Sequence, residues 1–149
     1  MAARLLAIAI AAALAAGCGS SGSSARFARR ANTICRQQRA KLAAIPRPGT
    51  VIDEKPFLDR ALPVLEQQRR AVAALPSDDG AKAKTLIARW DDVLVAARRV
   101  AAASAAGDDA RVAFGLKATH AAKVAADDAA RAVGAGDCTG FSPFEYEKR

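Results

Sequence analysis

Histidine and methionine are almost absent from this sequence, which contains one of each. Di-iron sites in helical proteins use repeated Glu-x-x-His motifs, but the residue three positions before His120 is Lys117, so the motif does not occur. Histidine–methionine ligation of haem is excluded as well, because Met1 is the only methionine. We therefore expect no metal and no cofactor, and we interpret His120 as a residue on the surface or boundary of a helix.

Sequence motifs of catalytic sites are also missing. The chain has no G-x-S-x-G motif and no phosphate-binding glycine loop. It has a single histidine, and no Ser/His/Asp order of a catalytic triad can be recognised around it. None of the three cysteines lies in a CxxC or CxxCH pattern, which removes support for zinc, redox and covalent haem sites. The sequence therefore predicts that the protein is not an enzyme.

Aromatic residues make up only 5% of the chain, whereas alanine dominates, and the prolines and glycines cluster between long stretches. This composition favours helices throughout. Apolar residues recur at three- and four-residue spacing in four segments, which predicts four amphipathic helices. The predicted N-terminal capping residues of these helices are Ser24, Asp53, Ser77 and Asp108.

Pro63 interrupts the second of these segments. An interior proline removes one helical hydrogen bond and bends the helix. Either the helix kinks at this point, which we favour, or residues 54–62 form a separate short turn.

Four amphipathic helices with short connections predict an all-α fold, an antiparallel up-down-up-down four-helix bundle over residues 25–138. A three-helix arrangement with a broken second element is the alternative. Residues 139–149 form a C-terminal tail that contains Phe141, Phe144 and Tyr146. This tail either packs over the open end of the bundle or serves as an exposed docking segment.

The N-terminus has the pattern of an export signal. Arg4 precedes an unbroken apolar run over residues 5–16, and small residues follow. The run is too short for an ordinary transmembrane helix, which needs about 20 apolar residues. The next residues, 19–24, are all glycine and serine, which is typical of a flexible tether.

Residues 14–18, Leu-Ala-Ala-Gly-Cys, resemble a bacterial lipobox, the site at which signal peptidase II cuts before a cysteine that carries diacylglycerol. The resemblance implies a signal peptide over residues 1–17 and a lipidated Cys18 that begins the tether of residues 18–24. Two acyl chains on one cysteine give stable anchoring. The alternative is an ordinary signal peptide, cleaved near Ala16 or Gly17, and a secreted soluble protein with a free Cys18.

Lipidation of Cys18 would leave Cys35 and Cys138, an even pair in a compartment where disulfides persist. We therefore predict a structural disulfide between them. Closing a loop of this length stabilises a fold by about 4 to 5 kcal/mol on the chain-entropy model.

Basic residues outnumber acidic ones, 23 to 15, and removal of Arg4 with the leader would lower the formal net charge from +8 to +7. For an exported protein the electrostatic partners are anionic lipid headgroups or anionic wall polymers, and not nucleic acid. The alternative is that the charge is spread over solvated helix faces.

Aspartate pairs occur at several positions. Asp91 and Asp92 form a conceivable cation site, but adjacent helical residues point about 100° apart and make a poor chelate, so we predict no metal. Asp127 is expected to pair with Lys123 and Arg131, four residues away on either side.

The lipobox-like start, the helix opening over residues 27–35 and the late cysteine together resemble the small alanine-rich helical lipoproteins of actinobacterial envelopes. The resemblance implies an anchored protein on the extracytoplasmic face of the cell membrane, a non-enzymatic interaction or structural accessory. The alternative is a small-ligand-binding helical module with the ligand held beside Trp90 and Phe114.

Overall fold

The structure is a computed structural model that describes residues 21–47, 54–77 and 80–144, and its regular elements are all helical. The elements are α1 (Ser21–Ala43), α2 (Glu54–Ala73), α3 (Gly80–Ala105) and α4 (Asp109–Ala132), followed by a 3-10 helix, Gly136–Cys138. The prediction of an all-α fold with four helices is confirmed. None of the helices in these ranges is long and apolar enough to cross a bilayer.

Several sequence predictions concern residues outside the described ranges. These residues are the leader 1–17, Cys18, the capping residue Asp53 and Tyr146 in the tail.

Helix α1 begins earlier than the sequence predicts. It starts at Ser21, so Ser24 lies inside the first turns and is not the residue that precedes the helix. Serine costs only a few tenths of a kcal/mol and glycine about 1 kcal/mol in a helix, and each residue added to an existing helix gains a hydrogen bond. The long amphipathic segment that follows therefore extends the helix back into the Gly/Ser segment.

The junction between α3 and α4 follows local sequence rules, as predicted. Gly107 adopts a positive φ of 67°, a conformation that glycine reaches without steric cost and that ends α3. The next residue, Asp108, caps α4, because its side chain accepts a hydrogen bond of 3.0 Å from the backbone N–H of Arg111. The chain thus passes from one helix to the next in three residues.

Pro63 lies within α2, which is one continuous helix of 20 residues, so the alternative of a separate short turn is wrong. Pro63 and Asp59, the residue whose carbonyl would have accepted the missing hydrogen bond, are both exposed. Water can therefore satisfy that carbonyl.

The buried apolar side chains form two clusters. The larger one surrounds Trp90 and includes side chains from all four helices, and the smaller one surrounds Val100 and joins α2, α3 and the start of α4. Leu42 and Leu62 pack against both clusters and connect them into one core. The largest fully buried apolar side chains are Trp90, Phe141, Leu58, Leu65 and Leu86.

Helices α3 and α4 approach closely at Gly115. A Cβ atom built on Gly115 would lie 2.7 Å from Cγ2 of Val100, a fully buried residue of α3. Glycine is unfavourable in a helix interior, so its presence at this position follows from the space that Val100 occupies.

We predict that the effect of Gly115→Ala depends on residue 100. In the wild-type chain alanine gains up to about 1 kcal/mol in helix propensity, but the clash with Val100 costs about 1 to 3 kcal/mol, so the substitution destabilises the protein. In a Val100→Ala background the clashing methyl group is gone, and the same substitution stabilises it. Urea unfolding of the four proteins measures this coupling, and an equal effect in both backgrounds would contradict it.

Candidate functional site

Cys35 of α1 and Cys138 of the 3-10 helix form a disulfide, with their Cα atoms 5.1 Å apart. The predicted pairing is confirmed. The two residues are 2% and 1% exposed, and Nε2 of Gln68 from α2 donates a hydrogen bond of 3.2 Å to Sγ of Cys35. Burial closes the sulfur atoms off from solvent and from other thiols, so this disulfide is a structural cross-link.

Residues 136–144, which we call the C-terminal strap, return from the end of α4 to the middle of α1. Asn32 accepts a hydrogen bond of 2.9 Å from the backbone N–H of Asp137, and the Asp137 carboxylate pairs with Arg36. Arg39 donates to the carbonyl groups of Asp137 and Thr139, at 2.7 and 3.1 Å. One face of α1 thus holds the strap by side chains from three successive turns.

Asp127 of α4 holds the strap from the other side. Its Oδ1 accepts a hydrogen bond of 2.6 Å from the backbone N–H of Gly140, and its Oδ2 accepts one of 2.7 Å from Lys123. The predicted pairing with Lys123 is confirmed, but Arg131 pairs with Asp128 instead, at 2.7 Å. Asp127 is 8% exposed, so its mid-helix position is explained by a contact with the strap.

The strap also contributes to the core. The ring of Phe141 stacks on the indole of Trp90, with ring centroids 4.3 Å apart and an angle of 6° between their planes. Phe141 is 2% exposed and Trp90 is fully buried near the middle of α3. The alternative of an exposed docking tail is therefore wrong for residues 139–143, which are buried or half-buried.

Trp90 and Phe114, the pair considered for ligand binding, are not brought together. Phe114 is 75% exposed on α4, where it lines a groove of about 330 Å³ with Arg99, Arg111 and Gly115. Trp90 does not line this groove, and its ring is covered by Phe141. A ligand between the two aromatic side chains is not compatible with these positions.

Asp91 and Asp92 are each paired with an arginine. Arg69 of α2 donates two hydrogen bonds to the Asp91 carboxylate, at 2.9 and 2.7 Å, and Arg89 pairs with Asp92 at 3.2 Å. The chain therefore supplies the cations for this acidic pair itself. Within the described residues no three His, Cys, Asp or Glu side chains are grouped so that they could hold a metal ion. His120 is exposed on α4.

Two further grooves lie beside the start of α1. The larger one, of about 430 Å³, runs between the end of α2 and the first half of α3. The smaller one, of about 300 Å³, lies between α1 and the end of α4. Phe27 and Ser77 line both grooves, which makes them neighbouring parts of one concave surface.

We predict that Phe141 and Phe114 differ sharply in their effect on stability. Phe141→Ala removes a buried ring that stacks on Trp90 and lowers the free energy of unfolding by about 3 to 5 kcal/mol. Phe114→Ala, the matched control at an exposed position, changes it by at most about 0.5 kcal/mol. Urea unfolding followed by circular dichroism measures both values, and similar losses for the two variants would show that Phe141 is not part of the core.

A second matched pair tests the strap contact on α4. Asp127→Ala leaves the N–H of Gly140 without its buried acceptor, which costs about 1 to 3 kcal/mol. Asp128→Ala removes an exposed pair with Arg131 and costs at most about 0.5 kcal/mol. Hydrogen exchange at the amide of Gly140 is expected to accelerate in the first variant only, and unchanged exchange in both would contradict the contact.

Comparison of the chain with protein families, with curated proteins and with solved structures finds no match.

Proposed function

We propose that this protein is a lipoprotein of the extracytoplasmic face of a cell membrane, anchored through Cys18, and that it acts there as a non-enzymatic interaction or structural accessory of the envelope. The observation that carries the proposal is the buried disulfide between Cys35 and Cys138. Stable structural disulfides form in oxidising compartments and are rare in the cytosol. The bond between Cys35 and Cys138 therefore supports a location outside the cytoplasm.

The cysteine count supports lipidation in particular. With Cys35 and Cys138 bonded to each other, Cys18 is the one cysteine of the chain that has no disulfide partner in it. It follows the apolar run and the small residues that are typical of an export signal. Attachment of diacylglycerol would give this thiol a role and would hold the protein at the membrane.

We also propose that successive helices run in alternating directions, as in an up-down-up-down bundle. Two ion pairs between α2 and α3 support this arrangement: Arg69 pairs with Asp91 at 2.7 Å, and Glu66 pairs with Arg98 at 2.6 Å. A step backward along α2 thus corresponds to a step forward along α3. The three-residue connection between α3 and α4 favours the same relation for those helices.

The charged side chains favour a structural or binding role over catalysis. Asp91, Asp127 and Asp137 are each held by a cation of the same chain. By contrast, Arg26 and Arg30 are exposed in the first turns of α1 and make no ion pair with any described residue. Unpaired cations near the proposed anchor suit an anionic lipid surface or an anionic wall polymer.

Intact mass spectrometry of the full-length protein, expressed with its leader in a bacterium and extracted from membranes, tests the proposal. We expect a chain that begins at Cys18, carries the mass of its acyl chains and lacks the two hydrogens of the Cys35–Cys138 thiols. A Cys18→Ala variant, the control, is expected to lack both the acyl mass and the cut before residue 18, because the thiol that carries the two acyl chains is absent.

Three results would contradict the proposal. Recovery from the cytosol with the leader intact and all thiols reduced would exclude export. Cleavage near Ala16 or Gly17 with an unmodified Cys18 would identify an ordinary secreted protein. The same acyl mass on the wild-type and Cys18→Ala proteins would show that Cys18 is not the anchor.

A further inference from the structure

The concave surface beside the start of α1 has an apolar floor. Its larger part, the groove of about 430 Å³, is lined mainly by apolar side chains from three helices. Among them are Phe27 of α1, Val72 of α2, and Ala83 and Ile87 of α3. We call this part the tether-end groove. Its volume lies in the range of sites that hold an apolar ligand of ordinary size.

The distance of the groove from the membrane is limited by the short segment that joins Cys18 to α1. Helix α1 begins at Ser21, three residues after Cys18. Three residues span at most about 10 Å. If Cys18 carries the anchor, as in the proposed function on which this inference rests, the start of α1 and the tether-end groove lie close to the bilayer surface.

The groove lined by Phe114 lies at the other end of α3. The tether-end groove is lined by Gly80 and Ala83, at the start of that helix, and the Phe114 groove by Ala102 and Ala106, around its end. A helix of this length spans about 39 Å. The two apolar grooves are therefore at different distances from the proposed anchor, which makes one a control for the other.

The charge around the tether-end groove is positive. Lys84 lines it, Lys82 lines the smaller neighbouring groove, and Arg26, Arg29 and Arg30 are exposed on the adjoining turns of α1. The carboxylate of Asp91, which also lines the groove, is held by Arg69. The sequence adds two acidic residues, 78 and 79, so cations remain in excess. Basic side chains close to the bilayer surface attract anionic lipid headgroups.

We propose that the tether-end groove binds an acyl chain of an anionic membrane phospholipid, with Lys84 at the level of the headgroup. An apolar floor, a cationic rim and a position beside the start of α1, which begins three residues after the proposed anchor, are the three properties that such a ligand requires. The bound chain would hold the bundle in a fixed orientation on the membrane, whereas the anchor alone attaches it at one point.

The test uses the full-length protein, purified with its acyl chains and reconstituted into vesicles of phosphatidylcholine and phosphatidylglycerol. A trace of phosphatidylglycerol carries a diazirine in one acyl chain, so that light attaches it to the residues it touches. Peptide mass spectrometry is expected to find the attached lipid within residues 72–91.

Two matched variants place the same charge in each groove. Ala88 and Ala102 are exposed alanines of α3, one lining the tether-end groove and the other lining the Phe114 groove. Ala88→Glu is expected to lower labelling of residues 72–91 at least about fivefold, because a carboxylate is unfavourable beside an acyl chain, whereas Ala102→Glu changes it by less than about twofold. If circular dichroism shows that Ala88→Glu is unfolded, Ala83→Trp, which fills the groove by volume, replaces it.

The outcomes separate this inference from the proposed function. A protein that is acylated at Cys18 but is not labelled in the groove, or is labelled equally at both grooves, overturns the inference and leaves the lipoprotein proposal standing. A protein without acyl chains refutes the proposed function. In that case, labelling of residues 72–91 that disappears in Ala88→Glu still supports lipid binding at the groove.

Discussion

The covalent bond between Cys35 and Cys138 is the constraint on which the closure of the bundle depends. It fixes the C-terminal strap against the middle of α1, where Arg36 and Arg39 reach its polar groups. These arginines are exposed, and exposed ion pairs and hydrogen bonds each contribute little by themselves. The disulfide keeps their partners within reach, so that weak contacts act together at a small entropic cost.

The strap changes the way in which the four helices form a core. Helices α1 and α4 both contact the 3-10 helix of the strap, whereas backbone contacts between α1 and α4 themselves are few. Phe141 enters between the helices and supplies the ring that covers Trp90. Because alanine provides little volume on α4, a large side chain from outside the helices fills the space that the bundle leaves.

Local features of this fold could be predicted from the sequence, because they depend on neighbouring residues. Gly107 and Asp108 end one helix and start the next through backbone conformation and a capping hydrogen bond. The cysteine pairing could also be predicted, on the hypothesis that Cys18 is lipidated and leaves Cys35 and Cys138 as the remaining pair. The site beside Trp90 and Phe114 could not, because periodicity identifies a helix face but not the side chain that covers it. The partner of Trp90 comes from 51 positions later in the chain, beyond the last helix.

Little in the sequence indicates which residues hold the strap. Arg36 and Arg39 fall outside the apolar stripe of α1, where a basic residue is normally solvated, and their partners lie about 100 positions away. Asp127 gave a better indication, because aspartate is unfavourable in the middle of a helix and therefore calls for a specific contact. Helical spacing predicted the contact of Asp127 with Lys123. It could not predict the hydrogen bond from the amide of Gly140, because Gly140 lies beyond the end of α4.

The position of Cys138 after all four helices fixes the order in which the fold is completed. A chain made from its N-terminus presents Cys35 of α1 long before Cys138, the residue that will bond to it, has been made. Contacts between such distant segments form late and slowly, and thiol oxidation adds seconds to hours. The part of α1 that the strap covers is thus closed last, and until then it needs protection from other chains.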